Sequence, residues 1–281
     1  MLAHNLYNVT YLLAKTYDSF NFNALTPFLE CVQLVETKNM IIFVTCLKGG
    51  VGKSTIAVHL AVWLSELGYT VLLVDSDAQA SSSTWLQEMK SINEVPCPEY
   101  GRLDDPKTFL TELQNLAQKY DHIVIDGPGG VSELNLLAML RAEIVLIPAA
   151  PSPLDFQAVR ETVNKVKQAQ TVRNGLPRMQ MIPNKMQHTI LSRELIEGAA
   201  QLQLPTTLPI RFLQAYATAR SFKSVAWRLD VRGAAEAGED LQMLFQKALP
   251  ELYRQKVPPE QGRAGDRPPE IPGGPSAEPT D

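Results

Sequence analysis

Residues 40–55 read MIIFVTCLKGGVGKST, an apolar run joined to a helical pattern through a loop with glycines at 49, 50 and 52. The order of these three pieces narrows the fold sharply. A short run that is apolar throughout, without period-two alternation, suits a strand covered on both faces, as in a parallel sheet wrapped by helices. Gly49, Gly50 and Gly52 allow a tight turn whose N–H groups point inward as a nest for oxyanions. A helix opening near Lys53 adds the positive end of its dipole to the same spot. Lys53 can then bridge the β- and γ-phosphates of a nucleotide, and the Ser54 hydroxyl is placed to ligate Mg²⁺. The common pattern G-x-x-x-x-G-K-[ST] asks for glycine at position 47. Leu47 stands there instead, and a second lysine, Lys48, follows it.

The rest of the chain repeats the alternation. Strand-like runs at 41–45, 71–74, 123–125, 144–147 and 179–182 are separated by helical patterns at 54–67, 106–119, 132–140 and 154–170. Pro106 suits a first helical turn behind Asp104 or Asp105 as cap. The expected fold class is α/β: a doubly wound, mostly parallel sheet with helices on both faces, built around a phosphate-binding loop. Residues 40–254 form the expected domain. Residues 1–39 have scattered aromatics and no strand–turn logic, so they are read either as an upstream over-read of the gene, with Met40 the natural start, or as an arm. Residues 255–281 are read as a disordered tail, since the last 25 residues carry seven of the twenty prolines and little apolar surface to bury.

Acidic residues reinforce the loop. VLLVDSD puts Asp75 and Asp77 at the end of the second strand, and HIVIDGPGG puts Asp126 at the end of the third. Ligands of open α/β sheets bind outside the carboxyl ends of the strands, so these carboxylates should converge with the loop. Asp126 is the natural direct or outer-sphere partner of Mg²⁺. Gly127, Gly129 and Gly130 leave room for a loop that senses the γ-phosphate. Read singly, each aspartate also fits the lesser reading of a helix cap or turn residue, which weakens with all three beside the loop.

The blocks KGGVGKST, VLLVDSDAQASSSTW, VIDGPGG and LIPAAPSPLDF resemble the ParA/MinD-type ATPases with a deviant phosphate loop. The likeness is nearest to the short, ParF-like partition ATPases and extends over about residues 40–250. It implies that Gly49, Gly50, Val51, Gly52, Lys53, Ser54 and Thr55 hold ATP with Mg²⁺. It implies that Lys48 reaches across a nucleotide-sandwich homodimer to the partner's phosphates, a cation that would couple ATP binding to dimerisation. It gives Asp77 the positioning of the attacking water, with Asp75 beside the metal. Pro183, Asn184 and Arg211 are its candidates for the adenine. The reaction implied is hydrolysis of ATP to ADP and phosphate, slow until an adaptor protein stimulates it. One departure is Ala78, where such ATPases usually carry proline after the second aspartate.

The net charge of −4 argues against a wholly basic nucleic-acid binder. Residues 185–232, however, hold Lys185, Arg193, Arg211, Arg220, Lys223, Arg228 and Arg232 against Glu194, Glu197 and Asp230, a local +4. On spacing alone this is a solvated face; with the resemblance it becomes a nonspecific, salt-sensitive DNA surface. Partners expected are a second copy, nucleoid DNA and a small centromere- or cargo-binding adaptor, in the cytoplasm and without a membrane. A MinD-like membrane-associated division-site regulator is the alternative, and it would need a basic amphipathic helix at the C-terminus. An iron–sulfur reductase is set aside because no cysteine follows Cys97, and Cys31, Cys46 and Cys97 make no metal pair.

Overall fold

The computed structural model describes residues 39–256. The expected arm at 1–39 lies outside them apart from Asn39, and so does the tail beyond 256. Six parallel strands form one sheet in the order β3-β2-β4-β1-β5-β6. They are β1 (Met40–Val44), β2 (Val71–Asp75), β3 (Glu99–Arg102), β4 (His122–Asp126), β5 (Ile144–Ala149) and β6 (Arg178–Pro183). The helices that cross between them are α1 (Lys53–Glu66), α2 (Ser81–Ser91), α3 (Pro106–Ala117), α4 (Glu133–Met139) and α5 (Pro153–Val172). After β6 come α6 (Ile190–Gln201), α7 (Ala215–Ser221), a 3₁₀ turn (Ala226–Arg228), α8 (Ala234–Ala248) and α9 (Pro250–Lys256). The last of these runs two residues into the expected tail.

Every strand of the sheet's middle is apolar on both faces, and the pleat deals its residues alternately to two cores. Phe43, Leu72, Ile125 and Val145 join one core with Phe109, Leu113 and Val159 from α3 and α5. Val44, Leu73, Val124 and Leu146 join the other with Leu60, Leu86, Leu244 and Phe245 from α1, α2 and α8. Leu241, Leu244, Phe245 and Leu252, the apolar face near the C-terminus, are all buried there. Asp105 caps α3, accepting from the Lys107 N–H at 3.0 Å. The register sets Val44 and Asp75 each beside Asp126. The loop after β1 therefore opens level with both carboxylates. Among the described residues no helix is long and apolar enough to cross a membrane.

One buried histidine ties α1 to the segment after α7. The His59 Nδ1 lies 2.7 Å from the Thr55 carbonyl, and its Nε2 accepts from the Ala226 N–H at 3.0 Å. Trp85, Tyr216 and Trp227 present their rings to it edge-on or tilted. Burial, reinforced by the nearby Arg228 charge and opposed by the Thr55 carbonyl, lowers its pKa from 6.5 to about 4. The folded protein thus binds this proton less readily than the unfolded chain. The stabilisation is complete above pH 6.5 and drains away as the pH falls towards 4. Asp126 works in the opposite sense, since burial raises its pKa to about 7. A comparison between variants isolates the histidine: the stability gap between the parent and His59→Gln should narrow by about 2 kcal/mol from pH 7 to pH 5. Urea midpoints at the two pH values measure it, and a constant gap would contradict the neutral, buried imidazole.

Candidate nucleotide-binding site

The loop between β1 and α1 is shaped from both sides. Gly52 caps α1 with φ +99°, and a Cβ there would meet the Asn184 Nδ2 at 2.2 Å, so any other residue would strain the backbone and displace that amide. No N–H of residues 49–55 meets a protein acceptor among the described residues. These groups form a run of free donors at the positive end of α1. Lys53 is buried, and its ammonium donates to the Lys48 carbonyl at 2.9 Å. That contact curls the side chain over the loop it serves.

Asp75 and Asp126 sit side by side and fully buried at the ends of β2 and β4. Their surroundings differ. Asp75 accepts from the N–H groups of Asp77 at 3.1 Å and Ser83 at 2.9 Å, which makes it a brace for the turn that carries Asp77. Neither oxygen of Asp126 has a hydrogen bond of ordinary geometry, and the buried Ser82 hydroxyl beside it is likewise without one. Burial raises the pKa of Asp126 to about 7; the Ser54 hydroxyl moderates the rise, and the Asp75 charge adds to it. An unpaired buried carboxylate next to the Ser54 hydroxyl suits a hydrated Mg²⁺, which takes oxygen ligands and keeps several waters. Among the described residues no three His, Cys, Asp or Glu side chains cluster as a cation cage. Such an ion would therefore depend on phosphate oxygens for the rest of its shell. Of the three residues expected at the metal, Ser54 and Asp126 have open oxygens, whereas Asp75 is committed to backbone donors.

Asp77 is half-exposed at the mouth. Its Oδ2 accepts from the Gly129 N–H at 3.2 Å and its Oδ1 from the Gln79 N–H at 2.9 Å. The first of these bonds joins the loop after β2 to the glycine loop after β4. That loop must run close to the sheet: a Cβ on Gly127 would stand 2.7 Å from the Phe43 ring.

A cleft of about 650 Å³ collects Gly49, Gly50, Gly52, Lys53, Ser54, Thr55, Asp77, Asn184 and Arg211. Its further walls are Trp85, Lys185, Phe212 and Tyr216, none of which the sequence singled out for a nucleotide. Several expected residues lie elsewhere. Val51 sends its side chain into the core and offers the loop only its backbone. Pro183 is buried at the end of β6, outside the cleft lining, with its carbonyl taking the Ile210 N–H at 2.8 Å. Asn184 spends its amide on the Val51 carbonyl at 2.7 Å and the Lys185 N–H at 2.9 Å. The Arg211 guanidinium is forked onto Asp240 at 2.8–3.1 Å. Of the three residues expected near the adenine, Asn184 and Arg211 line the cleft with their polar groups engaged on the protein, and Pro183 does not reach it. Lys48 points away from the cleft, in an ion pair with the buried Asp155 of the PSPLDF block.

The basic segment is also rearranged. Arg211 pairs with Asp240, Arg220 with Glu88, and Arg228 with Glu66 at 2.7 Å and Glu94 at 3.2 Å. Lys185 donates to the Gly50 carbonyl. Arg193, Lys223 and Arg232 form no ion pair among the described residues.

A parallel sheet with a strand–glycine loop–helix site and acidic strand ends defines a P-loop nucleotide-binding protein. The chain belongs to the family of the CobQ/CobB/MinD/ParA nucleotide binding domain, whose model matches residues 42–226. It is 26% identical over 214 residues to Maintenance of carboxysome distribution protein A of Halothiobacillus neapolitanus, covering 75% of this chain and 97% of that one. It is 28% identical over 161 residues to the chromosome-partitioning ATPase Soj of Thermus thermophilus, covering 48% and 64%. Among solved structures, the septum site-determining protein MinD of Pyrococcus horikoshii OT3, complexed with Mg-ADP, superposes with a TM-score of 0.64 at 20% identity. That match covers 78% of this chain and 99% of that one and speaks to the fold.

Proposed function

We propose that this chain is an ATP-switched positioning ATPase. It dimerises on MgATP, holds DNA without sequence preference as a dimer, and lets go when a cargo-bound adaptor stimulates hydrolysis. The observation that carries this reading is the placement of its two loop lysines. Lys53 lies inside the cradle, while Lys48 is parked on Asp155 outside it. A cation kept out of its own site and held at the surface is available to a second copy. The named roles of the relatives in chromosome partitioning and carboxysome distribution support the same reading.

In this mechanism the free N–H groups of 49–55 and the Lys53 ammonium bind and orient the phosphates, and most of phosphoryl transfer is such positioning. Mg²⁺, held through Ser54 and Asp126, supplies neutralisation of phosphate charge. Asp77 aligns the attacking water and takes up its proton, and its bond to the Gly129 N–H keeps the carboxylate facing the γ-phosphate position. Lys48 of each copy adds a cation to the nucleotide of the other. Arg193, Lys223 and Arg232 are the cations left for DNA phosphates.

Sedimentation of the purified chain with and without MgATP, and DNA co-sedimentation under the same conditions, test the proposal. A dimer and DNA retention that both require ATP are expected. A chain that stays monomeric with ATP refutes it, and ATP-dependent capture by anionic liposomes in place of DNA would favour the membrane-associated alternative. The Lys48–Asp155 pair gives a finer test. Dimerisation must break this pair; its aspartate is buried but its lysine is partly exposed, and solvent screening holds the pair to about 1 kcal/mol. Asp155→Asn should therefore lower the ATP concentration for half-maximal dimerisation by roughly two- to fivefold. A higher ATP requirement would show that Asp155 assists the dimer rather than restraining it.

A further inference from the structure

Asn184 and Lys185, adjacent at the end of β6, each hold a carbonyl of the phosphate loop. The Asn184 amide donates to the Val51 carbonyl and the Lys185 ammonium to the Gly50 carbonyl, both at 2.7 Å. In a trans peptide the C=O and the following N–H point in opposite directions. A donor that holds the Gly50 carbonyl therefore turns the Val51 N–H the other way, and the Asn184 bond does the same for the Gly52 N–H. These are among the N–H groups with no protein acceptor. Lys185 also stands at φ +58°, a left-handed conformation that a residue with a Cβ holds only when its surroundings require it. Its own N–H is tied back to the Asn184 Oδ1 at 2.9 Å, so the strain is held by bonds at both ends of the residue.

We propose that Lys185 is a positioning residue of the phosphate cradle: its ammonium sets the peptide between Gly50 and Val51 so that the loop meets a diphosphate with its donors already aimed. This takes Lys185 out of the basic DNA surface and gives β6 a part in phosphate binding. The inference rests on the reading that the cleft holds a nucleotide.

The test is Lys185→Met, which keeps the length of the stem and removes the ammonium. Titration calorimetry with MgADP should show affinity reduced by about tenfold or more, the scale of a hydrogen bond from a charged donor. In ³¹P and ¹H spectra of the bound MgADP, the β-phosphate resonance should move while the adenine H2 and H8 resonances stay. Lys185→Arg should restore affinity to within about threefold of the parent. If the methionine variant is unstable, Lys185→Gly relieves the strained backbone and should show the same loss. Unchanged MgADP affinity would overturn the inference, as would adenine resonances that move while the phosphate resonance does not. A parent protein that binds no MgADP would instead bring down the nucleotide reading itself.

Discussion

Lys48→Ala should yield a folded chain that binds MgATP yet stays monomeric and shows no ATP-dependent grip on DNA. Two triphosphates facing each other across a dimer repel, and in the proposed arrangement each needs a cation from the other copy. Removing one partner of a desolvated charge pair costs about 3–5 kcal/mol. Dimer affinity should therefore fall by at least about a hundredfold. The substitution also strips Asp155 of its counter-ion inside the monomer, where that carboxylate is buried. A loss of stability could imitate a loss of dimerisation, so Lys48→Ala combined with Asp155→Asn serves as the control. The double variant removes both charges of this pair and should fold as well as the parent while remaining monomeric. Sedimentation with MgATP and a thermal melt of each variant decide it. If the double variant dimerises like the parent, the crossed-lysine arrangement is wrong.

Asp77→Asn should have the second-largest effect, on turnover rather than binding. Asparagine keeps the shape of the side chain and an oxygen that can still accept from the Gly129 N–H, the bond seen at 3.2 Å. What it removes is the carboxylate that, in the proposed mechanism, takes the proton of the attacking water. A positioned general base contributes about 10²–10⁴-fold, so adaptor-stimulated hydrolysis should fall by roughly that factor. ATP affinity should hold within about threefold, because the phosphate donors of residues 49–55 are untouched. The variant should accumulate as an ATP-bound dimer that remains on DNA. Single-turnover measurements with radiolabelled ATP would expose an error: hydrolysis at close to the parent's rate would remove Asp77 from the reaction.

Much of the fold was legible because it is written locally. Apolar runs bounded by polar segments located β1, β2, β4, β5 and β6, and the glycine spacing placed the loop between the first strand and its helix. What escaped carries no such pattern. β3 is EYGR, a half-exposed edge strand held by its register on β2, with Leu72 beside Glu99 and Asp75 beside Arg102. α2 starts behind Ala80 in a left-handed conformation with no capping side chain. The four helices after β6 alternate with nothing, so the strand–helix rhythm gave no frame in which to place them.

Charge was the less readable part. Counting residues 185–232 yields a local excess of positive charge, but the neutralising acids lie elsewhere in the chain. Glu66, Glu88 and Glu94 precede the segment and Asp240 follows it, and the fold brings them to Arg228, Arg220 and Arg211. Lys185 is spent on a loop 135 positions away. A window of sequence sees formal charge and is blind to its partners.

The amino-acid sequence by itself determined the α/β class, the strand–loop–helix cradle and the acidic strand ends, because hydrophobic periodicity and the stereochemistry of glycine act between residues near in the chain. Only the tertiary structure decided that Asp75 braces while Asp126 stays open, that Lys48 rests on Asp155, and that Asn184 and Lys185 hold the loop. The lysine and loop assignments depend on which donor meets which acceptor more than a hundred residues away, and the contrast between the two aspartates on which of them the fold leaves without donors; both exist only once the sheet has closed its register.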